Sequence, residues 1–206
     1  MHVALIGGLG TGKTDTSKTL CEHLADSEYV YMSRFAVRIP MALQHMSHPD
    51  LLNYSRKEYV DAVLSNTDMP EVKASRPEMD AFAKNVFKRY GSTVTCEIAL
   101  AAVPEGKTGV FDGVATIENV RYMKERGVYI VGLTCSFETQ VQRRLEDKRD
   151  IDPKERSAMI KQIRDTQELF ETRKCMPLAH IVYNTEKMNQ IEVACAIAPV
   201  VMVVRK

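Results

Sequence analysis

The chain has 206 residues, a formal net charge of +1 and five cysteines without C-x-x-C spacing. This length predicts a single domain over residues 1–206, and the near-neutral charge argues against binding to nucleic acid or to a membrane surface. Scattered cysteines, together with the lack of an apolar run long enough to span a membrane, favour a cytoplasmic protein with small-molecule partners over a disulfide-linked or membrane protein.

The amino-terminal stretch combines a strand, a glycine-rich loop and a helix. Val3–Ile6 is an unbroken apolar run, as in a parallel strand that is covered on both faces. Residues 7–14, called the glycine loop below, fit the pattern G-x-x-x-x-G-K-[ST], in which backbone N–H groups surround a polyphosphate. In this interpretation Lys13 contacts the outer phosphates and Thr14 offers its hydroxyl to Mg²⁺; in the alternative Lys13 is solvated and Thr14 only caps the helix. The predicted phosphate-binding residues are Gly8, Gly10, Thr11, Gly12, Lys13, Thr14 and Asp15.

Strand-like and helix-like segments alternate along the rest of the chain. Further strands are predicted at residues 29–32, 109–112, 129–135 and 180–183, and helices at residues 13–25, 117–126, 138–147 and 153–174. Five strands with crossover helices predict an α/β fold with a doubly wound parallel sheet, whose ligands bind beyond the carboxyl ends of the strands. The apolar residues 194–204 fit either a helix end or a strand.

Residues 33–104 are predicted to form a helical cap inserted between two strands, because the segment is long and has helical patterning. Its predicted helices are residues 55–64 and 77–90. Arg34 and Arg38 follow the second strand, and a guanidinium group suits a phosphate well. We predict that these two arginines bind the phosphate of an acceptor, although ordinary surface positions are the alternative.

Polar residues also end two later strands. Asp112 closes the apolar segment GVFDG, and a carboxylate there can hold Mg²⁺ or its water shell; the alternative is a turn aspartate ahead of a glycine. We therefore predict that Thr14 and Asp112 are the metal ligands. Asn184 follows the last strand and either lines the pocket of a nucleotide base or caps the next helix.

A cationic lid is predicted over residues 143–153. Arg143 lies on a helix and Arg149 in the loop after it, and cations on a closing element can stabilise a phosphoryl group during its transfer. The alternative is a solvated helix face on which Arg143 pairs with Asp147. We predict that Lys13, Asp112, Arg143 and Arg149 are the catalytic residues.

Taken together, these motifs resemble the P-loop nucleoside-monophosphate-kinase-like family, and within it the dephospho-CoA-kinase-like and archaeal-type adenylate-kinase-related proteins. The resemblance covers nearly the whole chain through IGGLGTGKT, MSRFAVR, FDGVATIENVRYM, SFETQVQRRLEDKRDIDP and IVYNTEKMNQI. It implies a P-loop kinase fold and an ATP- and Mg²⁺-dependent phosphotransferase that acts on a small nucleotide acceptor, as a monomer or homodimer.

Two departures from the family pattern bear on the acceptor. Family members commonly carry an aspartate after the second strand, where this chain has Ser33 and Arg34, and an arginine where this chain has Ala115. A hydroxyl acceptor needs a base, whereas a monophosphate acceptor needs mainly positioning and charge neutralisation. This favours a nucleoside or deoxynucleoside monophosphate over dephospho-CoA; a nucleotide-dependent switch or interaction protein without an acceptor is the alternative of another class.

Overall fold

The structure is a computed structural model and describes residues 1–70, 72, 74–146, 153–169 and 172–203. The chain divides into two compact units. Met1–Tyr29 and Thr108–Lys206 form the first, called the sheet unit, and Val30–Lys107 form the second, called the helical unit. The predicted insertion, residues 33–104, falls within the helical unit.

A five-stranded parallel sheet organises the sheet unit. Its strands are β1 (Val3–Ile6), β2 (Ser27–Tyr31), β3 (Thr108–Asp112), β4 (Tyr129–Thr134) and β5 (Ile181–Asn184). They lie side by side in the order β2-β3-β1-β4-β5, with helices on both faces. The predicted α/β fold with a parallel five-stranded sheet is therefore confirmed, and β2 begins two residues earlier than the sequence suggested.

Helices connect the strands. In chain order they are α1 (Lys13–His23), α2 (Ile39–Met46), α3 (Arg56–Leu64), α4 (Arg76–Tyr90), α5 (Val94–Ala101), α6 (Ile117–Glu125), α7 (Phe137–Glu146), α8 (Pro153–Leu169), α9 (Thr172–Cys175) and α10 (Gln190–Val203). Residues 194–203 of the apolar segment that fitted two structures thus lie in the helix α10, and residue 204 lies outside the described residues. None of the helices in the described ranges is both long enough and apolar enough to cross a membrane.

The core of the sheet unit explains why β1 is apolar along its whole length. All four residues of β1 are buried, and β1 lies between β3 and β4. Val3 and Leu5 belong to a cluster that includes Leu20 of α1 and Ile197 of α10. A central strand covered on both faces needs such an unbroken apolar run. This packing fixes the carboxyl end of β1, from which the glycine loop starts.

The helical unit has its own capped helices and core. Ser55 and Glu58 form a reciprocal cap at the start of α3, in which the Ser55 N–H donates to Glu58 Oε2 at 2.8 Å and the Glu58 N–H donates to Ser55 Oγ at 3.3 Å. Arg56 then reaches α5, where its guanidinium donates to Glu97 Oε2 at 2.7 Å. The cap fixes the start of α3, and the Arg56–Glu97 pair fixes α3 against α5.

Two stacked tyrosines in the helical unit predict opposite effects on stability. Their ring centroids are 4.4 Å apart, and the Tyr90 hydroxyl donates to the carbonyl oxygens of Leu51 and Tyr54, each at 3.1 Å. The Tyr59 hydroxyl is buried and has no hydrogen-bond partner among the described residues. Because an unpartnered buried hydroxyl is costly, we expect Tyr59→Phe to raise the free energy of unfolding in urea by about 1 kcal/mol. Tyr90→Phe should lower it by about 1 kcal/mol, and a loss in both variants would contradict this account.

Candidate active site

The glycine loop closes around the Lys13 side chain. The Lys13 ammonium donates to the carbonyl oxygens of Gly7 at 2.8 Å and Gly8 at 2.7 Å, and Thr11 Oγ1 donates to the Gly8 carbonyl at 2.9 Å. Burial lowers the pKa of Lys13, and the nearby Asp112 carboxylate partly offsets that effect. The loop thus holds a cation among backbone carbonyls at the start of α1.

The sheet brings Asp112 to the glycine loop. Leu5 of β1 is in register with Asp112 of β3, so the last residue of β3 lies beside the end of β1. Thr14 Oγ1 donates to Asp112 Oδ2 at 2.7 Å, although the two residues are 98 positions apart in the chain. Asp112 is 2% exposed, whereas Thr14 is exposed. The loop hydroxyl and the strand carboxylate therefore form one polar pair at the carboxyl edge of the sheet.

The oxygen atoms of this pair suit Mg²⁺. That cation prefers oxygen ligands, and it usually keeps several waters while binding one or two protein groups and substrate phosphates. Among the described residues no group of three or more His, Cys, Asp or Glu side chains could hold a metal ion. The hydroxyl of Thr14 and the carboxylate of Asp112 are oxygen donors of the kind that fits this cation.

Two loop glycines separate the effects of backbone conformation and of packing. Gly10 and Gly12 have φ values of +75° and +81°, in the left-handed region. A Cβ on Gly10 would lie 2.8 Å from the carbonyl oxygen of Gln140 in α7, whereas one on Gly12 would meet no described atom within 4 Å. We expect Gly12→Ala to cost about 1–2 kcal/mol of unfolding free energy from backbone strain. Gly10→Ala should cost about 1–3 kcal/mol more from overpacking, and an equal loss in denaturant unfolding would contradict this packing.

A cavity of about 290 Å³ opens beside the glycine loop. One wall comes from the loop and the first turn of α1, and another from the segment after β5. Its polar lining includes Thr11, Asp15, Thr16, Arg143, Thr185, Glu186, Asn189 and Gln190. Polar groups thus line a cavity that adjoins the predicted phosphate loop.

Arg143 lies on the wall of this cavity. Its guanidinium donates to the carbonyl oxygens of Gly10 at 3.3 Å and Thr185 at 2.6 Å, and also to Thr185 Oγ1 at 2.9 Å. Arg143 therefore joins α7, the glycine loop and the segment after β5. These contacts shape the cavity wall, and the predicted role of Arg143 as a catalytic cation over the phosphoryl group stays a prediction.

Glu186 fixes the beginning of α7 to the same segment. Its Oε1 accepts hydrogen bonds from the Ser136 N–H at 3.0 Å, from Ser136 Oγ at 2.5 Å and from Thr139 Oγ1 at 2.5 Å. These bonds lower the pKa of Glu186 to about 2. The carboxylate is thus ionised at neutral pH beside the start of the helix, where its charge is favourable.

Other predicted site residues lie in different surroundings. Asn184 Oδ1 accepts from the Glu186 N–H at 2.9 Å, which is a turn contact, and a role for Asn184 in a base pocket stays a prediction. Arg149 and most of the predicted lid, residues 147–152, lie outside the described residues, as does Asp147, the alternative partner of Arg143.

Arg34 and Arg38 belong to the helical unit. They begin and end a π-helical turn, Arg34–Arg38, that leads into α2. Arg34 donates to the Thr67 carbonyl oxygen at 2.8 Å, and the Arg38 guanidinium lies 5.7 Å from the centroid of the Tyr31 ring. Single-turn π segments occur often at functional sites. Phosphate binding by these two arginines stays a prediction.

Sequence reasoning missed Tyr29, Thr185 and Glu186. The Tyr29 hydroxyl donates to Asp112 Oδ2 at 2.9 Å, on the same oxygen that accepts from Thr14. Only the lateral order of the strands, with β2 beside β3, could have indicated this contact. Thr185 and Glu186 immediately follow Asn184, so their place after the last strand was the available signal.

Comparisons with known proteins leave the family open. No protein-family model matches the chain, and a search of curated proteins finds no match. Among solved structures, shikimate kinase from Acinetobacter baumannii in complex with shikimate is similar at 16% sequence identity and a TM-score of 0.48, over 98% of this chain and 93% of that chain. The functional assignment therefore depends on the residues of this chain.

Proposed function

We propose that this protein is an ATP- and Mg²⁺-dependent phosphotransferase that acts on a small nucleotide. The observation that carries the proposal is the 2.7 Å hydrogen bond between Thr14 and Asp112. It joins the hydroxyl of a complete G-x-x-x-x-G-K-[ST] loop to a carboxylate at the end of a neighbouring parallel strand. Phosphoryl-transfer sites of this kind hold their metal ion with such a pair.

Each residue of the site has a defined part in this mechanism. Backbone N–H groups of the glycine loop and the amino end of α1 surround the phosphates. The Lys13 ammonium, which now contacts the Gly7 and Gly8 carbonyls, would turn to the outer phosphates and neutralise charge there. Bound Mg²⁺ supplies further charge neutralisation on the same phosphates. Thr14 and Asp112 would hold it, and the cavity bounded by Arg143 would take the nucleoside part of ATP.

For the acceptor we propose a nucleoside or deoxynucleoside monophosphate. A monophosphate is already an anion, so it needs no aspartate base at the position that Ser33 occupies. Arg34 and Arg38 of the helical unit are our candidates for binding its phosphate, because paired guanidinium groups recognise phosphate oxygens well. Dephospho-CoA is the other acceptor that the sequence motifs suggest.

ADP release from ATP and Mg²⁺ tests the proposal. The purified protein is assayed alone and with nucleoside monophosphates, deoxynucleoside monophosphates, dephospho-CoA and unphosphorylated nucleosides. We expect one monophosphate to raise the rate by orders of magnitude. A slow rate that no acceptor changes would instead favour a nucleotide-dependent switch, and stimulation by dephospho-CoA alone would correct the acceptor.

A further inference from the structure

We infer that Tyr29 is a positioning residue that orients the Asp112 carboxylate for metal binding; this inference rests on the proposed function. Tyr29 lies on β2, outside both the glycine loop and β3. Its hydroxyl donates to Asp112 Oδ2 at 2.9 Å, and Thr14 Oγ1 donates to the same oxygen at 2.7 Å. The carboxylate is therefore held from two different elements.

The number of donors and lone pairs explains what the second hydroxyl adds. A carboxylate has about four lone-pair sites, shared between its two oxygens, and the hydroxyls of Thr14 and Tyr29 both donate to Oδ2. No described residue donates to the other oxygen, Oδ1. With Oδ2 held on both sides, Oδ1 is the oxygen left for a metal ion or a metal-bound water.

Rotation of the carboxylate is the motion that Tyr29 restrains. The torsion that turns an aspartate carboxylate has broad minima, and a single hydrogen bond from Thr14 still allows the group to pivot about that contact. A donor on β2 removes this freedom. The Thr14 hydroxyl then continues to donate its hydrogen bond to Asp112, and the lone pairs of Thr14 Oγ1 stay available to the cation.

A purely structural role for the same bond predicts a different result. The backbone hydrogen bonds of the sheet already hold β2 beside β3, and Tyr29 is only half-buried. Loss of one hydroxyl should therefore have little effect on folding. A positioning role instead predicts a defect confined to the metal, because partners of metal ligands typically contribute about 10–100-fold to metal affinity.

Calorimetric titration of ATP into Tyr29→Phe, with Mg²⁺ or with a chelator present, tests the inference. We expect the affinity for ATP without metal to stay within about twofold of that of the unsubstituted protein. The Mg²⁺ concentration that gives half of the metal-dependent gain in ATP affinity should rise by about 10–100-fold. Tyr129→Phe makes the same chemical change at the first residue of β4, away from the carboxyl ends of the strands where Asp112 lies. It should alter neither the affinity for ATP nor the Mg²⁺ requirement. The unfolding midpoints of the two variants should agree.

The possible results separate the inference from the proposed function. An unchanged Mg²⁺ requirement in Tyr29→Phe would overturn the role of Tyr29 and leave the proposed function in place. An equal loss of ATP affinity with and without metal would show a structural contact and would also overturn it. If the unsubstituted protein bound ATP with no help from Mg²⁺, the proposed function would fail as well.

Discussion

Lys13→Ala is expected to lower kcat for phosphoryl transfer by at least about 10²–10³-fold, the loss typical of a preorganised group that stabilises transition-state charge. The fold should survive this change. The ammonium contributes two hydrogen bonds to the glycine loop, but burial disfavours its charge, as its lowered pKa indicates. These contributions oppose each other, so the free energy of unfolding should change little. Steady-state kinetics and urea denaturation measure the two quantities.

Lys18→Ala is the matched control for this prediction. Lys18 is exposed on the same helix, α1, so the substitution removes a lysine without touching the glycine loop. It should leave kcat and stability close to those of the unsubstituted protein. Normal transfer by Lys13→Ala would contradict the assignment of the loop to phosphates, and a large loss of stability would contradict the opposing contributions at Lys13.

Asp112→Asn is expected to lower kcat by about 10²-fold or more and to raise the Mg²⁺ concentration needed for half-maximal activity. The amide oxygen can still accept from Thr14 and Tyr29, so the main loss is the negative charge beside the metal position. The same charge partly offsets the lowering of the Lys13 pKa that burial causes. Without it that pKa falls further, so activity should decline at a lower alkaline pH in the variant than in the unsubstituted protein.

Asp61→Asn provides the control for Asp112. Asp61 pairs with Lys57 on the exposed surface of α3, and such pairs contribute little to stability. Its substitution should change neither the Mg²⁺ dependence nor the pH profile of phosphoryl transfer. If Asp112→Asn kept the normal Mg²⁺ dependence, Asp112 would have no role as a metal ligand.

Features that depend on short stretches of sequence, or on the general rule for parallel sheets, could be predicted. The glycine loop is specified by its own residues, and β1 by an apolar run that only a central strand needs. The approach of Asp112 to Thr14 also follows, because the carboxyl ends of parallel strands lie at one edge. Thus the polar pair at the site was predictable despite its separation in the chain.

Features that depend on strand order or on all-round hydrophobicity could not be predicted. Tyr29 reaches Asp112 only because β2 is the lateral neighbour of β3. The helix α10 was ambiguous because it is apolar on both faces: Ile197 packs in the core, while Met202 and Val203 are exposed. The contacts of Arg143 with backbone carbonyls have no sequence pattern, since a backbone acceptor is the same for every residue type.

The central claim is transfer of the terminal phosphoryl group of ATP to a small nucleotide. Phosphorus NMR of a mixture of protein, ATP, Mg²⁺ and the acceptor that stimulates ADP release tests it most directly, because it shows where that group goes. The predicted result is that the monophosphate resonance of the acceptor and the resonances of ATP decline together while nucleoside diphosphate resonances grow without inorganic phosphate, and that these changes are absent with Lys13→Ala. Formation of ADP and inorganic phosphate, with the acceptor unchanged, would contradict the claim.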